Sequence, residues 1–120
     1  MRILVVDDSR AMRMIVARTL RVAGYDEHEI VEAGNGIQAL ESVAEAPPDV
    51  VLCDWNMPEM SGLELLTALR TAGWTVPFGF VTSEASPQMR VTAMAAGAMF
   101  LIAKPFTAQD FQDALDPMLG

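Results

Sequence analysis

The sequence predicts a doubly wound α/β domain, a parallel sheet covered by helices on both faces. Two observations carry this. Short apolar runs alternate five times with stretches of helical periodicity, over short connections and without linker, repeat or low-complexity segment. Four of the five runs are apolar at successive positions rather than at every second one, as strands buried on both faces require. At 120 residues, 52% hydrophobic and 20% charged, the chain can bury one core and reads as a single domain, residues 1–120.

The elements follow in order. "ILVV" at 3–6 is β-branched and suits a central strand. Met12, Ile15, Val16, Thr19, Leu20 and Ala23 then keep helical spacing, and Gly24 is placed to stop that helix. "EIVEA" at 29–33 alternates as a flanking strand does. Ile37, Leu40 and Ala44 give a second helix that ends before Pro47-Pro48, and "VVLC" at 50–53 is the third strand. Ser61 and Glu64 form a capping-box signature for a helix through Leu65, Leu66 and Leu69 that closes near Gly73. "FGFV" at 78–81 is the fourth strand, and Ser86-Pro87 reads as N-cap and first helical position. "MFLI" at 99–102 is the fifth strand, and Thr107 caps a last helix carrying Phe111, Ala114, Leu115 and Met118 on one face.

Charge and composition exclude several functions. A net charge of −8 argues against nucleic acid, whose phosphates need clustered positive charge. Arg10, Arg13, Arg18 and Arg21 crowd into the first helix, where a solvated face is the expectation. Cys53 is the only cysteine, so there is no intrachain disulfide and a reducing cytoplasm fits. No apolar run approaches the length of a membrane span, and "MRILVVDD" turns acidic too soon for a signal peptide. His28 is the only histidine, in a loop among acids, where it is expected to be solvated; a Ser-His-Asp triad has no support.

In doubly wound sheets ligands bind beyond the carboxyl ends of the strands. Asp7 and Asp8 follow the first strand there, Asp54 the third, Thr82 and Ser83 the fourth, and Lys104, the chain's only lysine, the fifth. Singly, each has an ordinary reading as a helix cap, a turn residue, a loop hydroxyl or a strand-end charge. Together they place three carboxylates, two hydroxyls and one ammonium on one rim, and clustered titratable groups mark sites. Carboxylates so close repel one another unless a proton or a cation compensates. A hard divalent ion, Mg²⁺ or Mn²⁺, fits an all-oxygen set and retains positions for water or phosphate. Aspartate is also a known nucleophile for aspartyl phosphates.

The set Asp7-Asp8, Asp54, Thr82 and Lys104-Pro105, within "LVVDDSRAMRMIV", "DWNMPEMSGLELL", "VTSEAS" and "IAKPFT", resembles the receiver domain of two-component response regulators. The resemblance covers essentially the whole chain and is strongest to single-domain chemotaxis regulators. It implies a flavodoxin-like five-stranded sheet of order 2-1-3-4-5 with five helices. It implies Asp54 as phosphoacceptor, and Asp8, Asp7 (mainly through water), Asp54 and the carbonyl of Asn56 as holders of Mg²⁺. Thr82 and Lys104 would meet the phosphoryl oxygens, with Pro105 after a cis bond, and Asn56 and Glu84 would tune phosphate loss. The implied protein is a cytoplasmic monomer that catalyses only its own phosphorylation and dephosphorylation. Its implied partners are a histidine kinase or histidine phosphotransfer domain and a downstream protein such as the flagellar motor switch, with no nucleic acid and no membrane. One departure stands out: the family usually has Tyr or Phe three residues before the lysine, where this chain has Leu101, expected to pack as core, with Phe100 one place earlier.

Other readings stay open. A phosphate sink, a relay carrier or a degenerate receiver that only binds proteins would use the same fold. An aspartate-nucleophile phosphatase is disfavoured because its second Asp should stand two residues beyond the first, where this chain has Ser9 after Asp7 and Arg10 after Asp8. A flavin module is disfavoured because "DDSRAM" would repel a phosphate.

Overall fold

Four successive apolar residues leave the strand β1 (Arg2–Val6) without a polar face, and it lies inside the sheet with a neighbour on either side. The protein is described by a computed structural model over residues 1–119. After β1 come α1 (Arg10–Leu20), β2 (Glu29–Ala33), α2 (Gly36–Glu45), β3 (Val50–Cys53), α3 (Gly62–Thr71), β4 (Phe78–Thr82), α4 (Pro87–Ala95), β5 (Phe100–Ala103) and α5 (Ala108–Leu119). The strands make one parallel sheet in the order β2-β1-β3-β4-β5, as the resemblance implied. No helix among the described residues is long and apolar enough to cross a membrane.

Strand residues divide alternately between two cores. Leu4, Val6, Val51, Cys53, Phe78, Phe80 and Leu101 meet α2, α3 and α4 on one face. Ile3, Val5, Val50, Leu52, Val81 and Ile102 meet Val16 and Leu20 of α1 and Phe111 and Leu115 of α5 on the other. Each fully buried Phe or Leu contributes about 1.5–3 kcal/mol relative to exposure. Helix starts are set by caps: Ser9, Asn35, Ser61 and Ser86 accept from the backbone N–H of Met12, Gln38, Glu64 and Met89. The Ser61–Glu64 capping box is reciprocal, and Thr107 caps α5 by accepting from the Asp110 N–H.

Several helix faces differ from expectation. In α1 the buried stripe is Val16, Ala17 and Leu20, while Ile15 is 47% exposed. The stripe is rotated because Arg13, one turn earlier on it, turns inward. In α2 the buried residues are Gly36, Ala39 and Val43, whereas Ile37 and Ala44 are exposed. Here small residues let the helix approach: a Cβ at Gly36 would stand 2.4 Å from Met60 Sδ. Met60 is half-buried against that glycine, Met57 is buried in the same core, and Met94 is exposed. The fifth strand is shifted by one residue, leaving Met99 outside it and exposed.

α1 runs into a π-helical turn, Arg21–Tyr25, that ends through Gly24 at φ 104°, a left-handed conformation that glycine adopts without steric cost. Two contacts tie this turn to α5: Gln112 Nε2 donates to the Ala23 carbonyl at 2.9 Å, and the Tyr25 hydroxyl donates to Asp116. His28 is half-buried against the Tyr25 ring at 5.6 Å rather than solvated. Burial, and then the Asp116 hydrogen bond and charge, push the Tyr25 phenol pKa well up. A raised folded-state pKa means that this contact stabilises fully below the ordinary phenol pKa of about 10 and is lost as pH rises through the folded value. Tyr25→Phe is expected to lose about 1–2 kcal/mol at neutral pH and to lose less stability than the wild type on the alkaline side, by urea denaturation.

Candidate functional site

The sheet's hydrogen bonding continues past the strand ends and anchors the rim. The Asp7 N–H donates to Ala33 O at 3.2 Å, Asp54 N–H to Val6 O at 2.9 Å, and Lys104 N–H to Thr82 O at 2.8 Å. Each residue that follows a strand is thus held to its neighbour, and the side chains converge at one edge.

Lys104 Nζ stands 3.5 Å from Asp7 Oδ2 and 3.5 Å from Asp54 Oδ1. This is why the chain's only lysine ends a buried strand: it bridges two carboxylates. Asp7 is buried, and its Oδ1 also accepts from the Ser9 N–H at 2.9 Å. Asp54 is partly buried and Asp8 exposed, and one carboxylate oxygen from each of the three acids lies within 4.8 Å of the others. The Lys104-Pro105 bond is cis.

The Asp54 pKa is raised, chiefly by burial, with Asp7 adding to the rise while Lys104 and the Trp55 N–H oppose it. Burial is the larger cost that Lys104 leaves uncompensated, and further positive charge from a cation would offset it. The donor set fits a hard divalent ion: three carboxylates, no sulfur or imidazole, and Asp8 facing solvent. Neighbouring Cys53 is fully buried; burial and the nearby acids push its thiol pKa up, so it stays protonated and inert.

The loop after β3 is packed rather than loose. Trp55 rests on Phe80 at 4.6 Å, and the Gly62 N–H donates to the Trp55 carbonyl at 2.8 Å. Thr82 is buried at the end of β4, its hydroxyl accepting from the Glu84 N–H at 3.2 Å. Asn56, Ser83 and Glu84 are exposed on the same rim. Leu101 packs in the core as expected, while Phe100 lies over Gly79 on the other face of the sheet; a Cβ at Gly79 would be 2.0 Å from that ring.

One rim contact was missed. Arg13, read as part of a solvated face, donates from its guanidinium to the Asp7 carbonyl at 2.6 Å and to Glu32 Oε1 at 2.9 Å. The available signal was its position three and four residues before Val16 and Ala17 on one helical stripe.

A five-stranded doubly wound sheet with an acid trio and one ammonium on its carboxyl rim has the charges to hold a divalent cation and phosphate oxygens together. The chain matches the family model for the response regulator receiver domain over residues 3–116 and belongs to that family. It is similar to the chemotaxis protein CheY1 of Helicobacter pylori, with 40% identity across 100% of this chain and 98% of that protein. It is 39% identical to a CheY homolog of Campylobacter jejuni, across 100% of this chain and 93% of that one. Among solved structures, Vibrio cholerae chemotaxis protein CheY4 superposes with a TM-score of 0.86 at 34% identity, covering 98% of each chain. The protein is a phosphorelay signalling component.

Proposed function

We propose that residues 1–120 act as a chemotaxis-type receiver whose Asp54 carboxylate takes a phosphoryl group from a phosphohistidine of a histidine kinase or phosphotransfer domain. The observation that carries this is Lys104, held 3.5 Å from both Asp54 and Asp7 beside a third carboxylate. In the transfer an Asp54 oxygen forms the new O–P bond, the P–N bond to imidazole breaks, and the imidazole leaves with the bonding pair. Asp7, Asp8, Asp54 and the Asn56 carbonyl would hold Mg²⁺, which supplies positive charge to the carboxylates and the phosphoryl oxygens.

The rest falls to the chain. Lys104 opposes the rise in the Asp54 pKa that burial causes and receives phosphoryl charge as it arrives. Thr82 offers a hydroxyl at the end of the adjacent strand. Because Thr82 and Lys104 terminate β4 and β5, new charge on Asp54 acts first on the fourth and fifth βα units. Those units border a cleft of about 360 Å³ lined by Arg90, Leu101, Ala103, Pro105, Asp110 and Asp113, on the side where a downstream target such as the motor switch would read the change. The exposed Arg10 and Arg18 of α1, with Met14, Ile15 and Arg21 at the start of the following turn, offer a face to the phosphate donor.

Intact mass after mixing with acetyl phosphate tests the chemistry. One added phosphoryl group that requires Mg²⁺ and disappears with chelator is the expected outcome. No addition under any condition would leave a protein-binding module without receiver chemistry.

A further inference from the structure

We propose that Arg13 is the positioning residue of the cation site, acting through the peptide bond between Asp7 and Asp8; this rests on reading the rim as a divalent-cation site. The Asp7 carbonyl belongs to the peptide that joins the two acids, so its orientation helps set the direction in which both side chains leave the backbone. That carbonyl accepts from Arg13 Nη1 at 2.6 Å, while Nε of the same guanidinium donates to Glu32 Oε1 at 2.9 Å. The Arg13 side chain is only 16% exposed and its bond to the Asp7 carbonyl is partly buried, so that bond competes less with water than the one to the exposed Glu32.

The surroundings support a clamp. Ser9 caps α1 and its carbonyl accepts the Arg13 N–H at 3.0 Å, which fixes the helix turn that carries the guanidinium. Gly34 lies against it, a Cβ there standing 3.5 Å from the guanidinium, and the Gly34 N–H donates to Gln38 Oε1 at 2.8 Å. The end of β2 and the Asp7-Asp8 peptide therefore share the hydrogen bonds of one guanidinium. Asp8 is exposed and makes no side-chain hydrogen bond among the described residues, so the backbone is what directs it.

Coulomb's law and positioning predict opposite signs. A positive charge beside a cation site weakens cation binding, so removing it without structural effect tightens binding. If Arg13 positions the acids, removing it loosens binding although a repelling charge has gone.

The experiment titrates Mg²⁺ into wild type, Arg13→Met and Arg13→Lys, following fluorescence of Trp55 beside Asp54. In parallel, exchange of the Asp8 amide is measured without metal. Arg13→Met is expected to weaken Mg²⁺ binding by about 10-fold, at the low end for outer ligands to a metal site. Arg13→Lys, which keeps the charge but not the two-pronged donor, should recover part of that, and the Asp8 amide should exchange faster in Arg13→Met. Unchanged or tighter binding in a folded variant overturns the proposal, and Arg13→Lys carries the comparison if Arg13→Met does not fold. A wild type without saturable Mg²⁺ binding removes the cation site itself, and this proposal with it. A wild type that binds no better than Arg13→Met removes only the proposal.

Discussion

Gly62→Ala is expected to lose about 3 kcal/mol of stability and much of the phosphorylation with it. Gly62 opens α3, and a Cβ there would stand 2.3 Å from the Asp54 carbonyl oxygen and 2.9 Å from the Phe80 ring. The first of these is backbone and cannot rotate away. Alanine's helix preference over glycine, at most about 1 kcal/mol, is too small to offset the overlap. The chain must move α3 outward or Asp54 sideways, and the Gly62–Trp55 hydrogen bond holds the two together. A urea midpoint measures the first loss, and intact mass after acetyl phosphate and Mg²⁺ measures the second. A midpoint equal to wild type would show that the loop yields freely.

Lys104→Met is expected to slow phosphorylation by about 10²–10³-fold, the scale of losing one group aimed at developing charge. The same variant should bind Mg²⁺ more tightly, because a positive charge 3.5 Å from two of the three acids has been removed. Opposite changes in the two quantities separate a lysine that acts on the phosphoryl group from one that merely balances the acids. Mass shift against time and a Trp55 titration measure them. A variant that binds Mg²⁺ more tightly and phosphorylates at the wild-type rate would assign Lys104 to charge balance alone.

The candidate site was legible because doubly wound sheets place chemistry at fixed points. Asp7, Asp8, Asp54 and Lys104 each follow a strand and Thr82 ends one, so the strand positions place the rim. The caps at Ser61, Ser86 and Thr107 were legible for a similar reason, since they act within a few residues of themselves. Faces set by distant partners were not. Whether Ile37 or Ala39 points inward depends on how closely Gly36 approaches Met60, 24 positions along the chain. The turn of α1 depends on Arg13 meeting Asp7 and Glu32, and a helical count favours Ile15 over an arginine. The fifth strand moved by one residue because Phe100 pairs with Gly79 and covers it, a cross-strand contact that hydropathy does not register.

The residue that accepts the phosphoryl group is open to direct measurement. After acetyl phosphate and Mg²⁺, borohydride reduces an acyl phosphate to the alcohol, and peptide mass spectrometry locates it. Wild type should show the reduced residue at position 54 alone, and Asp54→Asn should show none. Reduction at Asp7 or Asp8, or undiminished phosphorylation of Asp54→Asn, would contradict Asp54 as the acceptor.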